Sequence, residues 1–174
     1  MRITDATDGP YAARMLAQIH WVYCATPHYL NEHGRPQKPQ DLKTQYHQLL
    51  IYPAMNEGNA WASWYKGVRE QIKVNASLEC NSSLALLNFT LAHQGVACLP
   101  TYVADKHIKN GEVEILFPDY QAASVHTLYA MYFQSRYKNP LIRSFVDFIR
   151  NDLKDCDWGA ASSTINTPAN KRPG

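Results

Sequence analysis

The sequence predicts an α/β fold, and three observations support this. Residues 74–100 read as a strand, a polar turn, an amphipathic helix, a glycine and a second strand. Other strand-like runs alternate with helix-like runs along the chain. A length of 174 residues with 45% hydrophobic content is enough for one ordinary domain or two small lobes with a substantial core.

Residues 74–100 carry the clearest local signals. Asn81, Ser82 and Ser83 have short polar side chains that accept hydrogen bonds from a first helical turn, so one of them is expected to be the N-cap. Gly95 suits the left-handed position just past a helix end. Two adjacent rows at helical spacing predict the face that packs on a sheet. The rows are Leu84, Leu87 and Leu91, and Ala85, Asn88 and Ala92.

The apolar run at residues 96–99 is typical of a strand that is buried on both faces in a parallel sheet. The helix before it follows another strand, and open α/β sheets bind small anionic or polar ligands at such helix N-termini. An ordinary capped helix that binds only its own backbone has the same sequence. Both interpretations of Ser82 and Ser83 stay open at this point.

The segments before this stretch give weaker signals. Residues 11–16 contain helix-favouring side chains, whereas residues 19–24 are β-branched and aromatic and predict a strand. Thr26, followed by a proline, has the residue type of an N-cap. Trp61 and Trp64 are three residues apart and are expected to share a helical face.

The segments after it are more regular. Thr101 is expected to cap a helix that runs to about Lys109. Residues 113–117 alternate apolar and acidic side chains and predict a half-buried strand, and residues 125–133 predict a longer one. Apolar residues at helical spacing predict a helix over residues 140–153.

Composition excludes several classes of protein. A formal net charge of +2 with 18% charged residues gives no basic stripe that would follow phosphates, so the chain alone is not expected to bind DNA strongly. The first residues lack the apolar core of a signal peptide, and no apolar run reaches membrane-spanning length. We therefore expect a cytoplasmic protein with no membrane association.

The cysteines and histidines give no catalytic or metal-binding pattern. The four cysteines, Cys24, Cys80, Cys98 and Cys156, are scattered without zinc-ligand spacing and predict reduced thiols. The seven histidines lie outside any known catalytic motif. We expect no metal, no cofactor and no enzymatic activity.

Two long segments, in order, resemble a known family. The segments are CATPHYLNEHGRPQKPQDL and LAHQGVACLPTYVADKHIKNGEVEIL, with the pair Trp61 and Trp64 between them and the helix SFVDFI after them. Over roughly residues 2–153 the chain resembles the effector-binding domain of LysR-type transcriptional regulators. The resemblance implies a fold like that of type 2 periplasmic binding proteins, with two α/β lobes joined by two crossover strands and a small-molecule effector in the cleft between them.

The resemblance also implies a division of the chain. Residues 1–26 would be the remnant of the first lobe and the first crossover, and residues 27–96 the second lobe. Residues 97–154 would be the second crossover and the return to the first lobe. Residues 155–174 are poor in large apolar side chains and are expected to form a disordered tail.

By the same resemblance, six residues are expected to contact the effector, and four to form the hinge. The effector residues are Thr4, Asp5, Thr26, Ser82, Ser83 and Cys98. The hinge residues are Cys24, Ala25, Leu99 and Pro100.

Full-length members of the family are homo-oligomers that bind DNA through an N-terminal winged helix-turn-helix. The resemblance implies that this chain lacks that domain and the opening part of the first lobe. We therefore expect no sequence-specific DNA binding by the chain itself, and self-association through unpaired strand edges and an uncovered sheet face. A free-standing solute-binding protein of the same fold is the alternative function.

Overall fold

A computed structural model describes residues 2–3, 11–44, 47–53, 60–123, 126–133 and 139–154. These residues form two compact units. The terminal unit contains the described residues up to His20 together with residues 126–133 and 139–154. The central unit contains the described residues between Trp21 and Ala123.

The described residues contain eleven strands and five helices. The strands are β1 Arg2–Ile3, β2 Tyr11–Ile19, β3 Trp21–Ala25, β4 Leu49–Ile51, β5 Ala60–Tyr65, β6 Val68–Lys73, β7 Leu78–Glu79, β8 Val96–Pro100, β9 Glu114–Leu116, β10 Tyr120–Ala122 and β11 His126–Phe133. The helices are α1 Pro27–His33, α2 Asp41–Thr44, α3 Ser83–Leu91, α4 Thr101–Lys109 and α5 Pro140–Lys154.

A five-stranded sheet in the order β7-β4-β8-β3-β9 organises the central unit. Strands β7 and β8 both run parallel to β4, whereas β3 runs antiparallel to β8. Every residue of β8 is buried, which confirms the prediction of a strand covered on both faces.

Each face of this sheet carries its own core. On one face, Cys24, Ala97 and Leu99 pack against the helices α3 and α4 through residues such as Leu86 and Ala104. On the other face, aromatic and aliphatic residues from the strands pack under α1, α2 and the strands β5, β6 and β10. On α3 the buried positions are Leu86, Leu87 and Thr90. Of the predicted stripe only Leu87 is buried, and the prediction was wrong at Leu84, Asn88 and Ala92, which are exposed.

The two tryptophans near the middle of the chain lie on a strand, which corrects the prediction of a helical face. Strand β5 pairs with β6 over six positions, and the hairpin turns at Lys66 and Gly67, which both have positive φ. Trp61 points into the core, while Trp64 is 41% exposed. The pairing of β5 with β6 therefore decides the conformation of this segment, although the three-residue spacing of the tryptophans also fits one face of a helix.

The end of α3 also differs from the prediction. The residue in the left-handed conformation is His93, with φ 61°, and Gly95 follows in a different positive-φ conformation at 155°. The N–H of His93 donates to the Thr90 carbonyl and the N–H of Gln94 to the Phe89 carbonyl, which is a Schellman motif. Gly95 is needed for another reason, because an added Cβ would lie 2.4 Å from the backbone oxygen of Gln48.

The terminal unit is a three-stranded antiparallel sheet in the order β1-β11-β2, with α5 on one face. The helix predicted from residue 140 is confirmed, and its inward residues include Ile142, Val146 and Ile149. Residues 11–16, in contrast, form part of β2 rather than a helix. Eight residues of β11 pair with β2, and this pairing outweighs the helix propensity of the alanines.

The two units divide the chain at different positions from those predicted for the lobes. Strands β8 and β9 and helix α4 all belong to the central unit, so this unit extends well beyond residue 96. The predicted lobe boundaries at residues 26 and 96 do not coincide with the edges of these compact units, and the division into lobes stays a prediction. The predicted tail at residues 155–174 lies outside the described residues.

Candidate ligand-binding site

The carboxyl edge of the central sheet is the candidate site, because two helices begin there. Since β7 and β8 are both parallel to β4, their C-terminal ends lie at the same edge. Helix α3 begins shortly after β7 and α4 directly after β8, and both helices pack on the same face of the sheet. Because only β4 separates β7 from β8, these two strands lie about 10 Å apart in the sheet.

Ser82 and Ser83 form the start of α3, as the sequence predicted. Ser82 is the N-cap, and its hydroxyl accepts a hydrogen bond from the N–H of Ala85 at 3.3 Å. Ser82 is exposed, and Ser83 is partly exposed. The remaining N–H groups of the first turn have no acceptors within the helix, so this end of α3 can donate to a bound ligand.

The start of α4 contributes Thr101, which the sequence predicted only as a helix cap. The N-cap is Pro100, which makes no side-chain cap bond, and Thr101 is the first helical residue. Thr101 is only 7% exposed, and among the described residues its hydroxyl oxygen has no hydrogen-bond partner. A buried hydroxyl without a partner is costly, so a ligand atom that bonds to it would gain affinity.

The electrostatics of this edge favour an anionic or polar ligand. Neither α3 nor α4 has an acidic residue in its first turn, so the positive ends of both helix dipoles are left uncompensated there. The rings of Trp21 and Tyr52 lie at this edge too, with their centroids 5.6 Å apart, but the buried Trp21 packs on the face of the sheet opposite α3 and α4. The N–H donors at the two helix starts can bind a small polar molecule.

Thr26, which was predicted to contact the effector, lies at the other end of α3. Its side chain is buried, and its oxygen is 2.8 Å from Nδ1 of His93, just beyond the helix C-terminus. It also accepts a hydrogen bond from the N–H of Tyr29 at 3.3 Å and so caps α1. The length of the nine-residue α3, about 14 Å, separates Thr26 from Ser82, and the structure does not bring these residues together.

A Thr26→Val substitution tests this structural role. The change removes the α1 cap and the bond to His93 while keeping the shape of the side chain, so we expect a loss of about 1 to 2 kcal/mol in the free energy of unfolding. Urea unfolding followed by circular dichroism measures it. Thr26→Ser keeps the hydroxyl and is the control, and an equal loss in both variants would contradict the assignment.

Cys98 and the predicted hinge residues are in the core of the central unit. Cys98 faces the side of the sheet opposite α3 and α4, and burial raises the pKa of its thiol. Cys24 pairs with Ala97 in the adjacent strand, and Leu99 pairs with Val22. Ala25 and Pro100 are also buried. A hinge at these residues, and a contact between Cys98 and an effector, stay predictions.

A cavity of about 350 Å³ lies beside the edge strand β7 and is lined by Ile51 and residues 74–79, without Ser82, Ser83 or Thr101. Thr4 and Asp5 lie outside the described residues. Across the described part of the chain, no group of three or more histidine, cysteine or acidic side chains could hold a metal ion.

His47 makes the stability of the central unit depend on pH. Its side chain is buried, with Nδ1 3.3 Å from the hydroxyl of Tyr29, which itself accepts a hydrogen bond from the N–H of Gln48. Burial lowers the pKa of His47 from 6.5, the nearby His33 lowers it further, and Asp41 partly offsets this. The folded state therefore binds a proton less readily than the unfolded state.

We expect the free energy of unfolding to be highest above about pH 6.5, and to fall as the pH decreases from there toward the lower pKa of the folded state. Urea unfolding at a series of pH values from neutral to mildly acidic measures the slope of the free energy of unfolding against pH. His47→Gln should reduce it, leaving the part due to His20, whose pKa burial also lowers. An unchanged slope in the variant would show that His47 is not the source.

The described residues define an α/β domain in which two helices begin at one edge of the central sheet. The family model described as the LysR substrate binding domain matches residues 2–154. The chain therefore belongs to the LysR substrate-binding domain family, and the effector-binding regulatory domain predicted from the sequence is confirmed.

Two similar regulators and one solved structure illustrate this relationship. An uncharacterized HTH-type transcriptional regulator of Haemophilus influenzae is 31% identical over 132 residues, which is 74% of this chain and 45% of the relative. The HTH-type transcriptional regulator CrgA of Neisseria meningitidis serogroup C is 27% identical over 88% of this chain and 50% of its own length. The solved regulatory domain of CrgA, described as a LysR-type transcriptional regulator, has a TM-score of 0.72 at 26% identity and covers 86% of this chain and 72% of its own.

Two statements follow from these comparisons. The predicted fold class is confirmed, because LysR regulatory domains have the α/β fold of type 2 periplasmic binding proteins. The chain spans about half the length of the curated relatives it matches. Separately, no helix in the described residues is long and apolar enough to cross a membrane.

Proposed function

We propose that this chain senses a small polar or anionic metabolite as the effector domain of a LysR-type DNA-binding transcriptional regulator. The observation that carries the proposal is that α3 and α4 both begin at one edge of the central sheet, where Thr101, the first residue of α4, has a buried hydroxyl with no partner among the described residues. Ser82 and Ser83 would bind the effector through their hydroxyls and the first-turn N–H groups of α3.

In this proposal the domain regulates rather than catalyses. Effector binding shifts the population between conformations of a cytoplasmic homo-oligomer, and DNA is bound by a winged helix-turn-helix that the full-length regulator carries elsewhere. The relatives support this function, since those named above are transcriptional regulators. They give no support to a free-standing solute-binding protein.

A thermal-shift screen against a panel of small carboxylates, sulfate and neutral metabolites tests the proposal. We expect at least one compound to raise the melting temperature, since a ligand that binds only the folded state stabilises it. Ser83→Ala should reduce this shift. Ser77→Ala, in the cavity beside β7, is the control and should leave it unchanged. A panel with no hit, or a hit that Ser77→Ala removes instead, would contradict the proposed site.

A further inference from the structure

A second cavity of the central unit lies at the amino edge of the central sheet and has no part in the proposed function. Because β7 and β8 are parallel to β4, the N-terminal ends of β4 and β7 lie at the edge opposite to the starts of α3 and α4. This amino-edge cavity has a volume of about 280 Å³. It is lined by Leu42, Lys43, residues 47–49 and residues 72–77, and so shares residues 74–77 with the cavity beside β7.

The buried part of the lining is mostly aliphatic. Leu42, Leu49, Ile72 and Val74 are buried and belong to the core on the face of the sheet opposite α3 and α4. The buried side chain of His47 also lines the cavity. An aliphatic lining of this kind favours a ligand with an apolar body.

The exposed part of the lining is positively charged. Lys43 on α2 and Lys73 at the end of β6 are both exposed. Among the residues that the structure describes, no acidic side chain lines the cavity, and neither lysine forms an ion pair with a carboxylate. Asp41 lies on the same helix as Lys43, but its carboxylate accepts hydrogen bonds from the backbone N–H groups of Gln37 and Lys38. The two lysines therefore attract an anion to the cavity.

The loop between β6 and β7 adds neutral hydrogen-bond donors. The hydroxyl of Ser77 accepts a hydrogen bond from the N–H of Leu49 at 3.2 Å, and the N–H of Ser77 donates to the Leu49 carbonyl at 2.9 Å. These two bonds hold Ser77 against the start of β4. Its hydroxyl proton can be donated to a bound carboxylate, as can the side-chain N–H groups of Asn75, which is exposed in the same loop.

We propose that the amino-edge cavity is a second ligand site, which binds a small carboxylic acid with an aliphatic body. The ammonium groups of Lys43 and Lys73 bind the carboxylate, and the buried aliphatic side chains contact the body of the ligand. An inorganic anion would leave the aliphatic lining uncovered, so an organic acid fits the cavity better than sulfate or phosphate. This site lies at a different edge and on a different face of the sheet from Thr101, and it does not depend on the proposed function.

Titration of the isotope-labelled chain with octanoate, followed through amide chemical shifts, tests this proposal. We expect saturable shifts in residues 47–49 and 72–77, all at one affinity. Titration with 1-octanol, which has the same aliphatic chain without the charge, measures the contribution of the lysines. Its dissociation constant should be at least about fivefold higher than that of octanoate.

A double variant, Lys43→Gln with Lys73→Gln, should raise the dissociation constant of octanoate at least about fivefold, because it removes both positive charges from the cavity. Lys38→Gln with Lys106→Gln is the matched control. It makes the same change at two exposed lysines that do not line the cavity, and it should leave the affinity for octanoate unchanged. Urea unfolding should give the same stability for both double variants, since all four side chains are exposed.

The second site would be overturned by a titration without saturable shifts, by equal affinities for octanoate and 1-octanol, or by an affinity that the Lys43 and Lys73 variant leaves unchanged. Shifts in residues 83–85 and 101–104 that Thr101→Val weakens would show octanoate at the effector site, which overturns the second site and supports the proposed function. Octanoate bound at residues 72–77, together with a thermal-shift screen that finds no hit, would support the second site and contradict the proposed function alone.

Discussion

A Gly95→Ala variant is expected to lose about 3 kcal/mol or more in the free energy of unfolding. The new Cβ would lie 2.4 Å from the backbone oxygen of Gln48 and 3.0 Å from its carbonyl carbon. That oxygen accepts the hydrogen bond from the N–H of Val96, so it cannot move away without breaking the link between β4 and β8. The φ of 155° adds backbone strain for any residue other than glycine.

Gly111→Ala provides the control for this prediction. Gly111 also has a positive φ, of 71°, but an added Cβ there would meet no atom within 4 Å. Its substitution should cost only about 1 kcal/mol, from the backbone conformation alone. Urea unfolding of both variants separates the steric effect from the conformational one. A difference of less than about 1 kcal/mol between them would contradict the close approach of Gly95 to Gln48.

A Thr101→Val variant is expected to weaken effector binding about tenfold or more while leaving the fold at least as stable as before. Valine has nearly the same shape as threonine but lacks the buried hydroxyl, which has no partner among the described residues. Removing an unpaired buried polar group does not destabilise the folded state, whereas losing its bond to a ligand costs affinity. Isothermal titration with a compound from the screen gives the affinity, and urea unfolding gives the stability.

Thr90→Val is the matched control, because it makes the same change at another buried threonine. The hydroxyl of Thr90 donates to the Leu86 carbonyl at 2.8 Å inside α3. The control should therefore lose about 1 kcal/mol of stability and keep its affinity for the effector. The opposite pattern, with Thr101→Val unstable but fully able to bind, would show that the hydroxyl of Thr101 serves the fold rather than the ligand.

The sequence predicted those features that depend on local chemistry. The α5 helix follows from an apolar stripe at helical spacing, and the start of α3 follows from its short polar side chains. Local propensity left residues 11–16 undecided and led to a wrong prediction for the pair Trp61 and Trp64, because the strand conformation of both segments depends on partners distant in the sequence. The propensities of neighbouring residues carry no information about which distant strand a segment pairs with.

At the candidate site, too, the sequence predicted local features but not contacts between distant residues. Ser82 and Ser83 were found because a capping pattern marks a helix start wherever it occurs. Thr101 was predicted only as a cap, since nothing in the sequence shows that its hydroxyl is buried without a partner among the described residues. The connection between Thr26 and His93 spans 67 positions and has no local signal.

The most direct test of the central claim, that the effector binds at the carboxyl edge of the central sheet, is to map its contacts by amide chemical shifts. Titration of the isotope-labelled chain with a hit from the thermal-shift screen should shift the amides of residues 83–85 and 101–104 together, at one affinity. Shifts confined to residues 74–79, which line the cavity beside β7, or shifts at only one of the two helix starts would contradict it.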